Sequence, residues 1–442
     1  MKTYEAYKES GVDWIGNIPK YWSLIPLKYS DETIMGQSPN SNDYILEKIH
    51  DAIPFLQGNA EFGKLYPKAR LWCNESNKHS KVNDILISVR APIGAINLSD
   101  KVYGIGRGLS AVRGIKHYYK YLYYYLHSAN EYLNVQGTGS TFTAISTSVL
   151  KELQIPNISI GEQTQIANYL DHKTQIIDAL IEKKEQLIKK LQAQRQAIIN
   201  EAVTKGLNPN AKMKDSGIEW LGEIPEHWEV KRTKYLLNEK DGIKIGPFGS
   251  ALKLDTLVEK GIKIYGQGNV IKDDFKLGHR YLPLERFEES FQQYEILDGD
   301  ILVTMMGTTG KSKVFSSNYE RGILDSHLLR LRFDENLFNG YLFSIILQQA
   351  DYIFQQINFN SVGSIMAGLN SAIIKKIKII TPPLNEQLEI LEFINLQSSE
   401  IDLVISKSKT QIKKLKSYRQ SIISEAVTGK IDVRDWQVTS NN

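Results

Sequence analysis

The chain has 442 residues, more than one ordinary domain holds, and this length predicts about two to four domains. Hydrophobic residues make up 42% and charged residues 24% of the sequence, which excludes disordered, collagen-like and low-complexity classes. The 54 Lys and Arg residues exceed the 50 Asp and Glu residues by a net charge of +4, which is too small to indicate a nucleic-acid partner without local basic patches.

The opening of the chain returns in its second half. The sequence KESGVDWIGNIPKYW at 8–22 is repeated as KDSGIEWLGEIPEHW at 214–228, with eight identities in fifteen positions and an offset of 206. Further on, KKLQAQRQAIINEAVT at 189–204 is repeated as KKLKSYRQSIISEAVT at 413–428, with eleven identities in sixteen positions and an offset of 224. Matches that keep their order while the offset grows predict one ancestral unit that was duplicated, with insertions in the second copy.

Between these anchors each copy has a middle segment of mixed character. Short β-branched runs at 84–89 and 300–304 predict strands, whereas the apolar spacing at 118–134 and 337–356 predicts helices. Each middle segment is therefore expected to be a compact α/β domain. A shared local sequence, Gln57-Gly58-Asn59 in the first copy and Gln267-Gly268-Asn269 in the second, indicates that the two domains have a common fold.

A long helix is predicted at the end of each copy. Pro156 precedes the first and Pro382-Pro383 the second, while Gly206 and Gly429 follow them, as is typical of helix ends. The apolar residues fall at the alternating spacing of a coiled-coil seam. The residues predicted to pair the helices are Ile166, Leu170, Ile177, Leu180, Leu187, Leu191 and Ile198 in the first copy, and Ile390, Ile394, Ile401, Val404, Leu415 and Ile422 in the second.

A helix with one apolar stripe and a length of roughly 65 Å needs a partner to cover that stripe. The simplest partner is its own duplicate, and a pseudo-two-fold relation between the copies makes the pair antiparallel. The expected fold class is therefore α+β, with two α/β domains separated by a pair of long antiparallel coiled-coil helices.

Several kinds of chemistry have no motif in the sequence. GTTGKS at 307–312 has Met305 where a P-loop needs its first glycine, and GIGRG at 104–108 has its third glycine one place early for a dinucleotide site, so both are expected to be turns. The single cysteine, Cys73, excludes an internal disulfide, and the scattered histidines indicate no metal site. We find no signal-peptide core or eighteen-residue apolar window and expect a soluble cytoplasmic protein without membrane contact.

The two repeated openings, SGVDWIGNIPKYW and SGIEWLGEIPEHW, together with RQAIINEAVT and RQSIISEAVT, resemble the conserved regions of the specificity subunit of type I restriction-modification systems. The resemblance covers essentially the whole chain, in the same order and twice. It implies two target-recognition domains, at 23–158 and 229–383, joined by conserved regions at 1–22, 159–228 and 384–442 that contain the helices.

The resemblance implies a DNA-recognition subunit without catalytic activity. In this family each recognition domain reads one half of a split double-stranded DNA target, and the helices dock and space two adenine-N6 methyltransferase subunits. S-adenosylmethionine would then belong to the methyltransferase partner, and ATP and Mg²⁺ to a restriction partner, with no cofactor in this chain. The absence of an Asn/Asp-Pro-Pro-aromatic loop agrees with this, because Thr381-Pro382-Pro383-Leu384 lacks both the polar acceptor and the aromatic residue.

DNA contacts of such a subunit would come from basic and polar side chains on domain loops, because Arg pairs with guanine, Asn or Gln with adenine, and Lys with phosphate. The candidates in the first domain are Lys68, Arg70, Lys78, Arg90, Arg107, Thr138 and Ser140. Those in the second domain are Lys244, Lys253, Arg280, Lys311, Lys313 and Ser364. Gln57, Asn59, Gln267 and Asn269 recur in both halves, which suits a shared turn or a phosphate contact better than base recognition.

Three further expectations concern the conserved regions and the tyrosine run at 117–126. Arg195, Gln196, Arg419 and Gln420 are candidates for a methyltransferase-docking face, although a merely solvated face would carry the same residues. The repeated tryptophans Trp14, Trp22, Trp220 and Trp228 are expected to anchor packing, and the first opening to pack near the C-terminal helix. The tyrosines resemble a base-stacking platform, but their apolar counterpart at 340–349 favours helix packing.

An alternative function is a coiled-coil scaffold, or a silent specificity-subunit copy, without DNA binding.

Overall fold

The computed structural model describes residues 2–40, 43–46, 52–74, 76, 78–137, 144–218, 221–248, 251–308, 310–361 and 369–438, with the backbone alone at 254 and 358–361. Three predicted DNA-binding residues, Thr138, Ser140 and Ser364, lie outside the described residues, as does Trp220. The chain divides into two compact units. Unit 1 comprises Met1–Glu185 and Ser408–Asn442, and unit 2 comprises Gln186–Lys407.

Unit 1 is built from short strands, a few short helices and parts of both long helices. Its strands are Tyr7–Glu9, Asn17–Pro19, Ser23–Pro26, Asp31–Met35, Tyr44–Ile45, Ile53–Leu56, Leu71–Cys73, His79–Ser80, Ile85–Ser88, Ile96–Leu98, Tyr103–Ile105, Leu109–Gly114 and Gln154–Asn157. Its short helices are Tyr119–Ser128, Asn130–Val135 and Thr147–Lys151, with 3-10 turns at Leu27–Tyr29 and Asn59–Glu61.

Unit 2 has the same kinds of elements. Its strands are Met213–Asp215, Glu223–Pro225, Glu229–Arg232, Ile243–Ile245, Ile262–Tyr265, Tyr281–Leu282, Glu295–Ile296, Ile301–Thr304, Ser312–Val314, Gly322–Leu324, Leu328–Leu331 and Lys378–Thr381. Its short helices are Gln267–Lys272, Leu284–Arg286, Gly340–Gln349, Asp351–Ser361 and Ser371–Lys376, with 3-10 turns at Thr233–Tyr235, Leu254–Thr256 and Gln292–Tyr294 and a π turn at Phe287–Phe291. The long helices are Ile160–Lys205 and Leu384–Val427.

The four-stranded antiparallel sheets of the two units correspond strand for strand. In unit 1 a four-stranded antiparallel sheet has Leu109–Gly114 between Ile85–Ser88 and Asp31–Met35, with Ile96–Leu98 at its edge. In unit 2 the same positions are taken by Leu328–Leu331, Ile301–Thr304, Ile243–Ile245 and Ser312–Val314. A second sheet in each unit contains one parallel strand pair. This repetition is the structural counterpart of the internal duplication.

The core of each domain lies between its sheets and its short helices. Strand Ile85–Ser88 is buried along its whole length, as is Ile301–Thr304, which explains why both are continuous apolar runs without alternation. The tyrosine run forms helix Tyr119–Ser128 and is buried, and the Tyr121 hydroxyl donates a hydrogen bond to the Val427 carbonyl over 3.0 Å. These tyrosines therefore pack the domain against the second long helix and leave no exposed stacking platform.

The two long helices run antiparallel within each unit. In unit 1, Arg419 Nε lies 2.9 Å from Asp178 Oδ1, and Lys184 Nζ lies 2.6 Å from Gln411 Oε1. In unit 2, Arg195 Nη1 lies 3.1 Å from Asp402 Oδ1. Residue numbers rise along one helix as they fall along the other, which is the predicted orientation.

The predicted seam is wrong at three positions. Leu180, Leu187 and Val404 are 43%, 41% and 42% exposed, while the neighbouring Ile181 and Ile405 are only 9% and 7% exposed. Both residues of each adjacent pair are apolar, so the apolar pattern alone led to Leu180 instead of Ile181 and to Val404 instead of Ile405. The other predicted pairing residues are buried or half-buried: Ile166, Leu170, Ile177, Leu191, Ile198, Ile390, Ile394, Ile401, Leu415 and Ile422.

A polar residue on the buried face of the first long helix accounts for part of this error. Thr174 is buried between Leu170 and Ile177, at a position that a prediction from apolar residues passes over. Its hydroxyl is satisfied inside unit 1, because it donates to the Leu170 carbonyl over 2.7 Å and lies 3.1 Å from the Tyr124 hydroxyl. A buried hydroxyl with both partners present costs little, so the seam tolerates it.

A tryptophan and a glutamate hold the beginning of each long helix. In unit 1 Trp22 Nε1 donates to Glu162, whose Oε1 also accepts from the hydroxyls of Tyr4 and Tyr21 at 2.9 and 2.8 Å. In unit 2 Trp228 Nε1 donates to Glu386 over 2.9 Å. Both tryptophans are fully buried. Trp22 and Trp228 are thus packing anchors, and Trp14 likewise stacks on Tyr132 at 5.7 Å between ring centroids.

The first opening also packs against the end of the second long helix, as predicted. The Tyr7 hydroxyl donates to the Lys430 carbonyl over 3.2 Å, and the Asp432 N–H donates to the Lys2 carbonyl over 2.8 Å. Gly429, two residues after the last residue of the helix, has a φ of +74°. A Cβ atom at this position would lie 2.4 Å from Pro19 Cδ, so only glycine allows this contact.

We therefore expect Gly429→Ala to lower the free energy of unfolding of unit 1 by more than the cost of placing an alanine at a positive φ, because the added Cβ also clashes with Pro19. Gly11→Ala is the matched control, because Gly11 has the same φ of +74° but no atom within 4 Å of its Cβ position. The control should cost about 1–2 kcal/mol in the free energy of unfolding. Gly429→Ala should cost clearly more by denaturant titration, and equal losses in the two variants would contradict the packing role.

Candidate nucleic-acid interface

In unit 1 several loops meet at one edge of the second sheet. Strands Ile53–Leu56 and Tyr103–Ile105 run parallel, so both end at the same edge. The Gly106 N–H donates to the Leu56 carbonyl over 2.8 Å, and the Gln37 N–H donates to the Ile105 carbonyl over 2.8 Å. We refer to residues 36–38, 57–58, 89–90 and 106–108 as the first loop cluster.

Glycine allows the close approach of these loops. A Cβ at Gly36 would lie 2.1 Å from the Gly106 carbonyl oxygen, and one at Gly108 would lie 2.7 Å from the Gln57 carbonyl oxygen. The Val89 N–H donates to the Gly108 carbonyl over 2.9 Å, which brings the loop of Arg90 to the same place. The GIGRG string is therefore a turn between strands, as predicted.

The structure brings the basic candidates of the first domain to this cluster or its margin. Arg90 and Arg107 belong to the cluster, and the Arg107 N–H donates to Ser38 Oγ over 3.3 Å. Arg70 precedes Leu71, which pairs with Phe55, and the Lys78 carbonyl accepts from the Ile105 N–H over 3.0 Å. The Lys68 N–H donates to the Glu61 carbonyl over 2.7 Å.

The side chains of these five residues are exposed. None of the five forms an ion pair with any residue that the structure describes. The margin of the first loop cluster is therefore a concentration of uncompensated positive charge. Such a margin can attract phosphates and can place an arginine fork against a base edge.

Unit 2 has a corresponding cluster of loops. We refer to its residues 246–248, 266–267, 305–306 and 325–327 as the second loop cluster. Strands Ile262–Tyr265 and Gly322–Leu324 are parallel and end at one edge. The Asp325 N–H donates to the Tyr265 carbonyl over 2.8 Å, as the Gly106 N–H does to that of Leu56. The Met306 N–H donates to Gln267 Oε1 over 3.1 Å, which ties the loop after strand Ile301–Thr304 to the cluster.

The basic candidates of the second domain differ in how they are held. Arg280 Nη2 lies 2.5 Å from Asp325 Oδ2, and Lys313 Nζ lies 2.5 Å from Asp273 Oδ2. Burial by itself would raise the pKa of Asp325, but the hydrogen bond and charge of Arg280 outweigh it and lower that pKa. Lys244 lies over the Tyr294 ring at 5.6 Å. Lys253 and Lys311 are exposed and form no ion pair within the described part of the chain.

The repeated Gln-Gly-Asn sequence does not occupy equivalent places. Gly266 begins helix Gln267–Lys272, and its N–H donates to Asn269 Oδ1 over 2.9 Å, whereas the Gly58 N–H donates to Glu61 Oε2 over 3.2 Å. Asn269 therefore corresponds to Glu61, because each accepts a hydrogen bond from the N–H of the glycine three residues earlier, and Asn59 does not correspond to Asn269. Asn269 is buried and its amide donates to the Asp274 and Leu277 carbonyls, so it holds a turn. Gln57 is exposed and Gln267 half-exposed in the clusters.

The docking candidates on the long helices are mostly engaged within their own units. Arg195 and Arg419 form the ion pairs with Asp402 and Asp178 described above. Gln196 donates to Asp351 Oδ1 over 3.2 Å. These three residues are therefore half-buried and already engaged within their units, and a docking role for them stays a prediction. Gln420 is exposed.

Two apolar residues of the second loop cluster were missed. Phe248 is 83% exposed and Met306 is 44% exposed. Sequence reasoning looked for basic and amide side chains, and an apolar residue beside glycine and proline gave no signal that it would be exposed. GTTGKS, which follows Met306, lies in the turn between antiparallel strands Ile301–Thr304 and Ser312–Val314, which is not the strand-to-helix setting of a P-loop.

Other kinds of site have no counterpart in the described residues. No group of three or more His, Cys, Asp and Glu side chains in that part of the chain is arranged to hold a metal ion. None of its helices combines the length and apolar character needed to cross a membrane.

Comparison with known proteins gives consistent results. The family model for the type I restriction modification DNA specificity domain matches residues 41–190 and again 255–414. The chain is 36% identical over 206 residues to the type I restriction enzyme MjaX specificity subunit of Methanocaldococcus jannaschii, an alignment that covers 46% of each chain. It is 26% identical over 321 residues to the MjaVIII specificity subunit of the same organism, covering 71% of each.

Solved structures share the fold. A chain from a structure of the type I restriction-modification system superposes with a TM-score of 0.70 at 14% identity, covering 93% of this chain and 99% of that one. The HsdS subunit from Thermoanaerobacter tengcongensis gives a TM-score of 0.52 at 14% identity, covering 93% and 98%. At this level of identity the likeness concerns the fold alone.

Proposed function

The chain belongs to the type I restriction-modification DNA specificity family, and from this we propose that its two loop clusters are the surfaces that recognise the two halves of a split DNA sequence. The observation that carries the proposal is the contrast between framework and loops. Apart from strand Tyr44–Ile45 of the first domain, which has no counterpart among the described residues of the second, the domains have the same strands in the same order, whereas the side chains at the loop clusters differ. A common framework with different loop chemistry is what two domains with different DNA targets require.

The chemistry of the clusters suits duplex DNA. Arg90 and Arg107 carry planar forks that form no ion pair with any described residue, and such forks can pair with guanine O6 and N7 or with a phosphate. Lys68, Lys78, Lys253 and Lys311 stand at the margins, where contact with the backbone would set the orientation of the domain. Arg280 is already oriented by Asp325, so it would meet DNA with little loss of side-chain entropy.

The chain has a positioning role in this proposal and no catalytic step of its own. Two adenine-N6 methyltransferase subunits would bind the long helices, bind S-adenosylmethionine and flip out the target adenines. Restriction subunits, where present, would supply ATP- and Mg²⁺-dependent cleavage. Exposed apolar side chains on the helices offer docking contacts in each unit separately: Leu180 in unit 1, where Gln420 is exposed as well, and Leu403 in unit 2.

Mapping N6-methyladenine tests the proposal. The chain is co-expressed with its methyltransferase subunit, and methylated positions in host DNA are mapped by single-molecule sequencing. We expect a split motif with a fixed gap and one methylated adenine in each half. A complex that assembles but methylates no motif would instead support the scaffold or silent-copy alternative.

Charge removal at the cluster margins should weaken DNA binding in a salt-dependent way. We expect Lys78→Ala and Lys311→Ala each to lower the affinity of the assembled complex for DNA. The loss should be similar for DNA that contains the motif and for DNA that lacks it, because phosphate contacts do not depend on sequence. The slope of log affinity against log salt should fall by about 0.9 for each phosphate contact that is lost. Lys151→Ala is the matched control, because this exposed lysine ends helix Thr147–Lys151 outside the cluster. A change in the control as large as in the two variants would contradict the assignment.

A further inference from the structure

Phe248 has an unusual position for a phenylalanine. At 83% exposure it is the most exposed large apolar side chain among the residues that the structure describes. Exposing an aromatic ring to water forgoes about 2 kcal/mol or more of burial free energy. The ring lies in the second loop cluster, beside the surface assigned above to DNA.

The backbone under Phe248 is held firmly. Gly246 and Pro247 are buried, and the Gly246 N–H donates to the Leu328 carbonyl over 3.0 Å. A Cβ at Gly246 would lie 2.0 Å from the Asp325 carbonyl oxygen, so this backbone is packed directly on the loop that carries Asp325. The Phe248 carbonyl accepts from the Ala251 N–H over 2.8 Å. The ring therefore projects from an anchored turn.

The surroundings of Phe248 are those of a recognition surface. Met306 and the Arg280–Asp325 pair belong to the same cluster or its margin, so this cluster combines exposed apolar side chains with an oriented guanidinium. The first domain has Ser38 in the corresponding place, two residues after Gly36, where its hydroxyl accepts from the Arg107 N–H. A packing role in the shared framework would need an apolar residue in both domains. The difference instead matches a difference in target.

Base edges in the major groove offer few partners to such a ring. Guanine, cytosine and adenine present hydrogen-bond donors and acceptors there, and thymine adds the one apolar group, its C5-methyl. Phe248 can neither donate nor accept a hydrogen bond. We propose that Phe248 is a specificity-determining residue that contacts a thymine methyl in the half-site read by the second domain. This inference rests on the proposed function of the loop clusters.

The test uses the assembled complex and its mapped motif. Each thymine of the second half-site, on either strand, is replaced in turn by deoxyuridine, which removes only the methyl group. We expect one replacement to weaken binding by the wild-type complex about fourfold, the effect of losing one apolar methyl contact. The Phe248→Ala complex should bind the thymine and deoxyuridine duplexes equally, with a melting temperature like that of the wild type because the ring is exposed.

Two controls make the result specific. Tyr235→Ala removes a 60% exposed ring in the turn after strand Glu229–Arg232 and should leave the thymine preference intact. The inference is overturned if the Phe248→Ala complex keeps the full preference for thymine over deoxyuridine. It is also overturned if the wild-type complex shows no such preference and Phe248→Ala weakens binding to both duplexes equally, because that result would indicate that the ring inserts between bases. A second half-site without thymine overturns it as well. In all three cases the split motif itself would still support the proposed function, whereas absence of any motif would remove its premise.

Discussion

Exchanging residues 27–153 for the equivalent segment of another specificity subunit is expected to change one half of the methylated motif completely and to leave the other half and the gap unchanged. Strand Ser23–Pro26 pairs with strand Gln154–Asn157, with Ser23 opposite Asn157. The two ends of the exchanged segment are therefore adjacent in a two-stranded sheet that remains in place. The second domain is closed in the same way, with Glu229 opposite Thr381.

The measurement for the exchange is the methylation map described above, taken for parent and chimaera. The reciprocal exchange of residues 233–377 is the matched control and should change only the other half. Helix contacts such as Tyr121 to Val427 must be kept in the donor segment, or the domain will lose its packing on the second long helix. A chimaera whose two half-motifs both change would contradict the assignment of one half-site to each domain.

Much of the architecture could be predicted from the sequence because it depends on local patterns and on duplication. The repeated openings and helix ends established the two copies, and continuous apolar runs indicated the strands at 85–88 and 301–304. The helix seam was only partly predictable. Leu180 and Ile181 are both apolar and adjacent, and only their burial in the structure shows that Ile181, on the same helix face as the buried Thr174, points inward.

The candidate interface was predictable by residue type but not by environment. Arg90 and Arg107 follow strand ends, which is where loops meet, so a choice by residue type led to two residues of one loop cluster, and their contact with DNA stays a prediction. The pairing of Arg280 with Asp325 joins residues 45 positions apart and follows from the parallel strand order, which the sequence does not display. Phe248 was missed for the opposite reason: its residue type predicts burial, and only the three-dimensional packing of Gly246 and Pro247 exposes it.

A buried ion pair at the end of each four-stranded sheet opposite to the loop cluster is expected to have the largest effect on stability. Asp84 accepts from Arg113 Nε and Nη2 at 3.0 and 2.8 Å, and Asp300 accepts from the same atoms of Arg332 at 2.7 Å each. The two carboxylates are almost completely buried, with side chains 2% and 0% exposed. Each pair joins neighbouring strands of the four-stranded sheet.

We expect Arg113→Met to destabilise unit 1 by about 3–5 kcal/mol, because it leaves the Asp84 carboxylate buried without a cation. Arg332→Met should cost less, since Arg330 Nε remains 3.9 Å from Asp300 Oδ2 in unit 2. Denaturant unfolding of the purified chain measures both. Arg321→Met is the control, because its ion pair with Glu295 is exposed and should contribute less than about 1 kcal/mol.

The combination of Arg113→Met with Asp84→Leu distinguishes an uncompensated charge from lost packing. Once the carboxylate is also replaced, no buried charge remains, and stability should recover most of what Arg113→Met removed. If the double variant is instead less stable than Arg113→Met alone, the arginine acts mainly through the packing of its aliphatic stem. Recovery would mean that the ion pair contributes little net free energy of unfolding and that its role is to hold the strands of the sheet in register. The loop cluster depends on that register to place Arg90 and Arg107.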